Sequence, residues 1–204
     1  MRKKHLEIIL SQLAPHPKPR LKWEAYTLDA VSAAEIAYIT GRVNDDVRKK
    51  NVIDLGCGTG VLAISASLLG ARFVVGVDID KDAVKVAKEN AEIAGAKVEF
   101  VINDLSCVVG RFDTAVMNPP FGSWRRGADV QFLKKALEIS GVVYSLHKRG
   151  DLNREFLRRK IQFFGGRVDR IYEMRISIPR TFNFHRKLKY FVDVDLYRVL
   201  KVKS

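Results

Sequence analysis

The chain has 204 residues, 47% of them hydrophobic, which is enough to bury a full core. No apolar run approaches the roughly 18 residues that cross a bilayer, and the only two cysteines, Cys57 and Cys107, cannot build a disulfide framework or a structural zinc site, so no membrane span and no metal are expected and a reducing cytoplasm is the expected setting. Thirty-six Lys and Arg against 23 Asp and Glu leave a net charge of +13, the electrostatic footprint of a protein whose partner is a polyanion.

Residues 1–45 read as a helical N-terminal segment. Leu6, Ile9, Leu10 and Leu13 recur at helical spacing, and the basic Met1-Arg2-Lys3-Lys4-His5 ahead of them is not followed by the small-residue cleavage site of a secretion signal. Pro15, Pro17 and Pro19 then impose an extended connector. A second helix is predicted from Tyr26-Thr27-Leu28-Asp29, with Ala30, Val31, Ala34, Ile36, Ala37 and Ile39 on its apolar side and Gly41 as its stop.

From residue 46 onward strands and helices alternate. The predicted order is strand 51–55, the glycine turn 56–60, helix 61–69, strand 73–78, helix 81–94 closed by Gly95, strand 98–102 and strand 113–117. It continues with helix 129–139, strand 142–146, helix 151–164 and closing strands near 167–178 and 190–202. Such alternation demands a mostly parallel sheet with helices on both faces, here seven-stranded and Rossmann-like, in one domain spanning 1–204. The notable polar residues all fall at carboxyl ends of strands, where ligands bind in open α/β sheets. They are the glycine turn after the first strand, Asp78 after the second, Asp104 after the third and Asn118 after the fourth.

The run Asp54-Leu55-Gly56-Cys57-Gly58-Thr59-Gly60 joins a strand directly to a helix N-terminus, and its glycines permit positive φ and close backbone approach to a ligand. Asp78, 22 residues after Gly56, is placed to bind both hydroxyls of a ribose, and Asp104 to accept from an adenine amine. Gly58-Thr59-Gly60-Val61-Leu62-Ala63 also fits the G-x-G-x-x-A form of a dinucleotide fingerprint, but the leading Asp54 opposes a pyrophosphate and suits a cation. A cationic, nucleoside-based ligand is S-adenosylmethionine.

Asn118-Pro119-Pro120-Phe121 follows the apolar Thr114-Ala115-Val116-Met117. Two prolines cannot continue a central strand and make a rigid turn at its end. Asn118 Oδ1 and the Pro119 carbonyl can both accept from an amino group while Phe121 stacks on the flat ring that bears it; the same residues also serve as a plain strand stop with a core Phe.

The glycine turn, Asp78 and the Asn-Pro-Pro-Phe run resemble a class I adenosylmethionine-dependent methyltransferase. Leu55 to Leu62, Gly76 to Asp80, Met117 to Gly122, Tyr144-Ser145-Leu146-His147-Lys148 and Phe184-His185-Arg186-Lys187 are similar in order and spacing to the methyltransferase-like 5 family of small-subunit rRNA adenine-N6 methyltransferases. The resemblance runs from about Leu21 to near the C-terminus. It implies cofactor contacts from Tyr26, Thr27, Asp54, Gly56, Gly58, Thr59, Gly60, Val61, Asp78, Ile79, Asp104 and Leu105, and a transfer site of Asn118, Pro119, Pro120 and Phe121. RNA contacts would come from Arg125, Arg126, Phe184, His185, Arg186 and Lys187. Where the family usually reads Glu-Gln-Tyr-x-Thr, this chain has Trp23-Glu24-Ala25-Tyr26-Thr27, with no glutamine.

Two other functions fit part of this pattern. A protein glutamine N5-methyltransferase uses a very similar turn, usually with Tyr in the fourth place, and a catalytically silent RNA-binding scaffold could keep the fold alone. The resemblance also implies a small zinc-containing activator that adds a strand to the sheet edge at 98–102, where Val98, Phe100 and Ile102 alternate on one face; ordinary helix packing would use the same alternation.

Overall fold

A computed structural model describes residues 1–17, 28–120, 127–179 and 189–202. Helix α1 (Lys3–Leu10) and helix α2 (Ala30–Tyr38) precede the sheet. The described part of α2 starts at Ala30 because Asp29 caps it: one carboxylate oxygen accepts from the N–H groups of Val31 and Ser32, both at 3.1 Å. Gly41 does not stop the helix as expected. It lies in a π-helical turn (Ile39–Val43) that extends it, and a Cβ at Gly41 would stand 2.8 Å from Leu69 Cδ1, so glycine is there for close packing.

The strands are β1 (Asn51–Leu55), β2 (Phe73–Asp78), β3 (Glu99–Ile102), β4 (Phe112–Met117), β5 (Ser140–Lys148), β6 (Gly166–Pro179) and β7 (Lys189–Lys201). They form one sheet in the order β3-β2-β1-β4-β5-β7-β6. The first five are parallel, and β7 runs antiparallel to both β5 and β6. Four helices connect them: α3 (Val61–Leu68), α4 (Lys81–Ala94), α5 (Ala128–Ile139) and α6 (Asp151–Phe163). Successive strand residues feed opposite faces. Val52, Val74, Val116 and Leu146 pack with α1 to α4, whereas Ile53, Ala115, Met117 and Val143 pack with α5 and α6. The direction of winding reverses between β1 and β4, so their carboxyl ends open side by side, which is where such sheets take ligands.

The expected apolar edge at β3 is only partly exposed. Phe100 is buried and its ring lies under Gly60 and Gly76, where an added Cβ would come within 2.8 and 2.7 Å of it. Val98 packs against the same core, which leaves Val101 and Ile102 as the exposed apolar residues of the strand.

The positive charge is clustered in stretches such as 124–126 and 148–160, and the second of these is in part structural. Arg154 grips the fully buried Asp195 of β7 through Nε at 2.6 Å and Nη2 at 2.7 Å, and reaches Glu173 at 2.7 Å. A second, partly buried network ties the segment before β1 to the far half of the sheet. Asp46 accepts from Tyr144 Oη at 2.5 Å and from Arg198 Nε at 2.8 Å, and Arg198 also reaches Asp169 at 2.6 Å. Burial, then the neighbouring Asp46 carboxylate, holds the Tyr144 hydroxyl well above its usual range, so it stays a donor. Removing one partner strands the Asp46 charge in a mostly desolvated place. Arg198→Met is expected to destabilise the protein by about 3 kcal/mol in urea unfolding.

Candidate active site

A cavity of about 710 Å³ opens outside the carboxyl ends of β1, β2 and β4, a size suited to one nucleoside-based ligand. Its walls include Asp54, Gly56, Gly58, Thr59 and Val61 from the first crossover, Asp78 and Ile79 from the end of β2, and Asp104 and Leu105 beyond β3. Asn118 and Pro120 close the side toward β4, with Pro119 buried between them. The structure therefore brings the two halves of the sequence pattern to one site. Gly60 is the exception: it does not line the cavity, and its φ of +85° together with the Phe100 ring 2.8 Å from a hypothetical Cβ accounts for the glycine. Tyr26, Thr27, Phe121, Arg125, Arg126, Phe184, His185, Arg186 and Lys187 lie outside the described residues.

The glycine turn is locked onto β2. Gly56 and Cys57 both donate to the Val77 carbonyl, at 2.8 and 3.0 Å. Asp78 then uses one carboxylate oxygen to accept from Gly58 N at 2.7 Å and the other to accept from Asp80 N at 2.9 Å. Each oxygen keeps a further lone pair, so a diol in the cavity can donate to both. Burial raises the pKa of Asp78, and backbone donors, those of Asp80 and Gly58 foremost, oppose that rise. Asp104 caps the short 3₁₀ turn Leu105–Cys107 by accepting from Ser106 N at 2.8 Å and from Ser106 Oγ at 2.6 Å.

Asp54 sits beneath the turn, 1% exposed, and accepts from Ala63 N at 3.0 Å. Burial pushes its pKa up to about 8 against this single donor. A folded chain that keeps a proton up to about pH 8, which the unfolded chain releases near pH 4, binds more protons when folded, so this group's contribution to stability is lost as pH rises across that interval. Asp54→Asn keeps an acceptor for Ala63 and removes the ionisation. In urea unfolding the variant is expected to exceed the parent in stability at pH 8, with the gap closing toward pH 4.

Several wall residues carried no signal in the sequence. Phe132 of α5 lies against the glycine turn, 2.8 Å from where a Gly56 Cβ would be, and lines the cavity. His16, from the proline-rich connector, lines it on the β2 side. Next to the Asn-Pro-Pro turn, Ser145 Oγ and His147 Nε2 are 2.6 Å apart, and His147 Nδ1 faces the Asp129 carboxylate at 3.7 Å. This buried set ties the first turn of α5 to β5, and Met117, just before Asn118, pairs with Ser145. Only the run Tyr144 to Lys148 hinted at it.

A seven-stranded sheet whose last strand is inserted antiparallel, with a nucleoside-sized cavity at its switch point, is the architecture of the class I methyltransferases. The family model described as ribosomal protein L11 methyltransferase (PrmA) matches residues 38–118, the stretch that carries the glycine turn and Asp78. Over nearly the whole chain the similarity is to other proteins. The rRNA N(6)-adenosine-methyltransferase METTL5 of Danio rerio is 35% identical, covering 97% of this chain and 98% of the relative. Its Drosophila melanogaster counterpart is 34% identical over 95% and 93%. The crystal structure of a candidate RNA methyltransferase from Pyrococcus horikoshii superposes with a TM-score of 0.91 at 41% identity, covering 100% of this chain and 99% of that one. The chain belongs to the methyltransferase-like 5 family of rRNA N6-adenosine methyltransferases.

Proposed function

We infer that the protein transfers a methyl group from S-adenosylmethionine to N6 of an adenine in RNA, with small-subunit rRNA as the substrate. The observation that carries this is the shared cavity: Asn118 and Pro120 stand across one space from the glycine turn and Asp78. The residues fit the cofactor. Asp78 offers two oriented acceptors to a ribose, and Asp54 is a buried carboxyl with one backbone donor, a group that gains from a cation nearby. When bound, S-adenosylmethionine supplies an electrophilic methyl on a sulfonium.

The chain's own part is mostly positioning. An adenine amine is a poor nucleophile because its lone pair is delocalised into the ring. If Asn118 Oδ1 and the Pro119 carbonyl each accept one N–H, the nitrogen can pyramidalise and direct its lone pair at the methyl. The N–C bond forms as the S–C bond breaks, and the amine proton then leaves to water, so no strong base is needed. The base leaves its stack to reach this turn, which the fixed φ of Pro119 and Pro120 holds rigid. The full-length similarity to adenosine methyltransferases and the +13 charge favour RNA over a protein amide. The test is transfer of labelled methyl from the cofactor to purified rRNA or to ribosomal protein. Label on RNA adenine supports the reading, and label confined to protein overturns it.

The proposal extends to a setting and a partner. A small zinc-containing activator would add a strand beside β3, an edge strand of the sheet that exposes Val101 and Ile102. A reducing cytoplasm suits the free Cys57 and Cys107.

A further inference from the structure

We propose that His16 is a cofactor-binding residue, and that the segment Ala14-Pro15-His16-Pro17 is a wall of the cofactor site. The proposal rests on the cofactor reading above and adds to it a residue from outside the sheet. His16 lines the cavity together with Asp78 and Asp80, although more than 60 residues separate it from them in sequence. Its side chain is 5% exposed, and Nε2 lies 3.2 Å from Oδ2 of Asp80, itself 4% exposed.

Three features hold the imidazole there. Pro15 and Pro17 flank it; proline fixes its own φ and pushes the residue before it to extended backbone, so His16 cannot retreat into a helix. Asn90 of α4, fully buried, fastens the segment at Ala14 as a partner strand would: its Oδ1 accepts from Ala14 N at 2.8 Å and its Nδ2 donates to the Ala14 carbonyl at 3.0 Å. The same Nδ2 donates to the Thr59 carbonyl at 3.0 Å, so one side chain clamps the connector to the glycine turn. Asp80, the partner of His16, donates its own N–H to Asp78 and caps α4 by accepting from Asp82 N at 3.0 Å.

These contacts make a closed hydrogen-bonded ring around one end of the cavity, running from Gly58 through Asp78 and Asp80 to His16 and back through Ala14, Asn90 and Thr59. Asp78 is the acceptor placed for the ribose, and His16 stands beyond Asp80 on the same ring. The connector is therefore part of the pocket and not a tether to α1. Extended backbone with prolines is a low-entropy way to keep such a wall in place before the ligand arrives.

The test is isothermal titration of S-adenosylhomocysteine into the full chain, with the thermal midpoint of the ligand-free protein measured in parallel. His16→Ala is expected to lose about tenfold in affinity, the scale of one hydrogen bond plus lost contact, and to lower the ligand-free midpoint by about 2–4 °C, the shift that about 1 kcal/mol for the stranded Asp80 acceptor produces. His16→Gln, whose amide can still donate to Asp80, is expected to retain most of the affinity. Affinity within twofold of the parent in His16→Ala would overturn the proposal. So would a loss of affinity matched by a large drop in the ligand-free midpoint in both variants, since that is the behaviour of a structural residue. If the parent itself does not bind, the cofactor reading fails first and this proposal falls with it; if the parent binds and His16→Ala binds equally, only this proposal fails.

Discussion

Asn118→Ala is expected to slow methyl transfer by about 10²- to 10³-fold while leaving affinity for S-adenosylmethionine within about twofold of the parent. The side chain stands at the end of β4 on the wall of the cavity, across from the residues that would hold the cofactor. Its proposed work is done only in the transition state, when the amine loses its planarity and its N–H groups need acceptors. Losing one oriented partner of this kind costs about 10²- to 10³-fold in kcat in other enzymes. Asn118→Asp keeps an acceptor at the same place and is expected to retain measurable turnover, which separates an accepting role from a purely steric one. Single-turnover methyl transfer and cofactor titration on the same preparations check this. An alanine variant with full activity would remove Asn118 from the mechanism.

The second large effect is at Asp78. Asp78→Ala removes both acceptors proposed for the ribose, and it also leaves the N–H groups of Gly58 and Asp80, which now donate at 2.7 and 2.9 Å, without their partner. Hydrogen bonds to a charged group contribute about 1.5–3 kcal/mol each, so two of them predict a loss of at least about 100-fold in cofactor affinity. The glycine turn should loosen as well, because Asp78 is one of the groups that fix it to β2. Calorimetry is therefore expected to show weak or no binding together with a lowered unfolding midpoint. Unchanged affinity would mean that the ligand lies elsewhere in the cavity.

The two variants differ in kind. Asn118 acts on the step and Asp78 on the occupancy, so the first should lower kcat and the second should raise the concentration of cofactor needed. Asp54 stands between these cases. Its pKa of about 8 reflects a buried carboxyl that is costly to ionise in the ligand-free protein, which is why Asp54→Asn is expected to gain stability at pH 8.

Much of this site is legible from the residues because it obeys short-range rules. A strand of four to six apolar residues, then glycines, then a helix can be read locally, and so can two prolines that end a strand. The order of elements from β1 to β5 follows from the alternation, and their parallel pairing places their carboxyl ends together. What was not legible depends on contacts between distant segments. Asn90 looks like a polar residue on a helix, and only the fold shows it clamping Ala14, 76 residues away. His16 looks like part of a proline linker. Phe100 belongs to an alternating strand in sequence, yet packing sends it under Gly60 and Gly76 and leaves Val101 and Ile102 outside.

The same limit applies to charge. Clustering of Lys and Arg marks a polyanion binder, but it does not separate the arginines that face the solvent from those that hold the protein together. Arg154 and Arg198 are of the second kind, gripping Asp195 and Asp46 across the sheet. An RNA surface assigned from the basic stretches alone would have included Arg154 with Arg125 and Arg126. Geometry removes Arg154 from that set.

On this reading the cavity between the glycine turn and Asn118 methylates N6 of an adenine in small-subunit rRNA. Mass spectrometry of nucleosides from that rRNA, in cells with the gene, without it, and with Asn118→Ala in its place, tests this most directly. N6-methyladenosine is expected at one position in the first cells and is expected to be lost in the other two. The same N6-methyladenosine content in all three would contradict the reading.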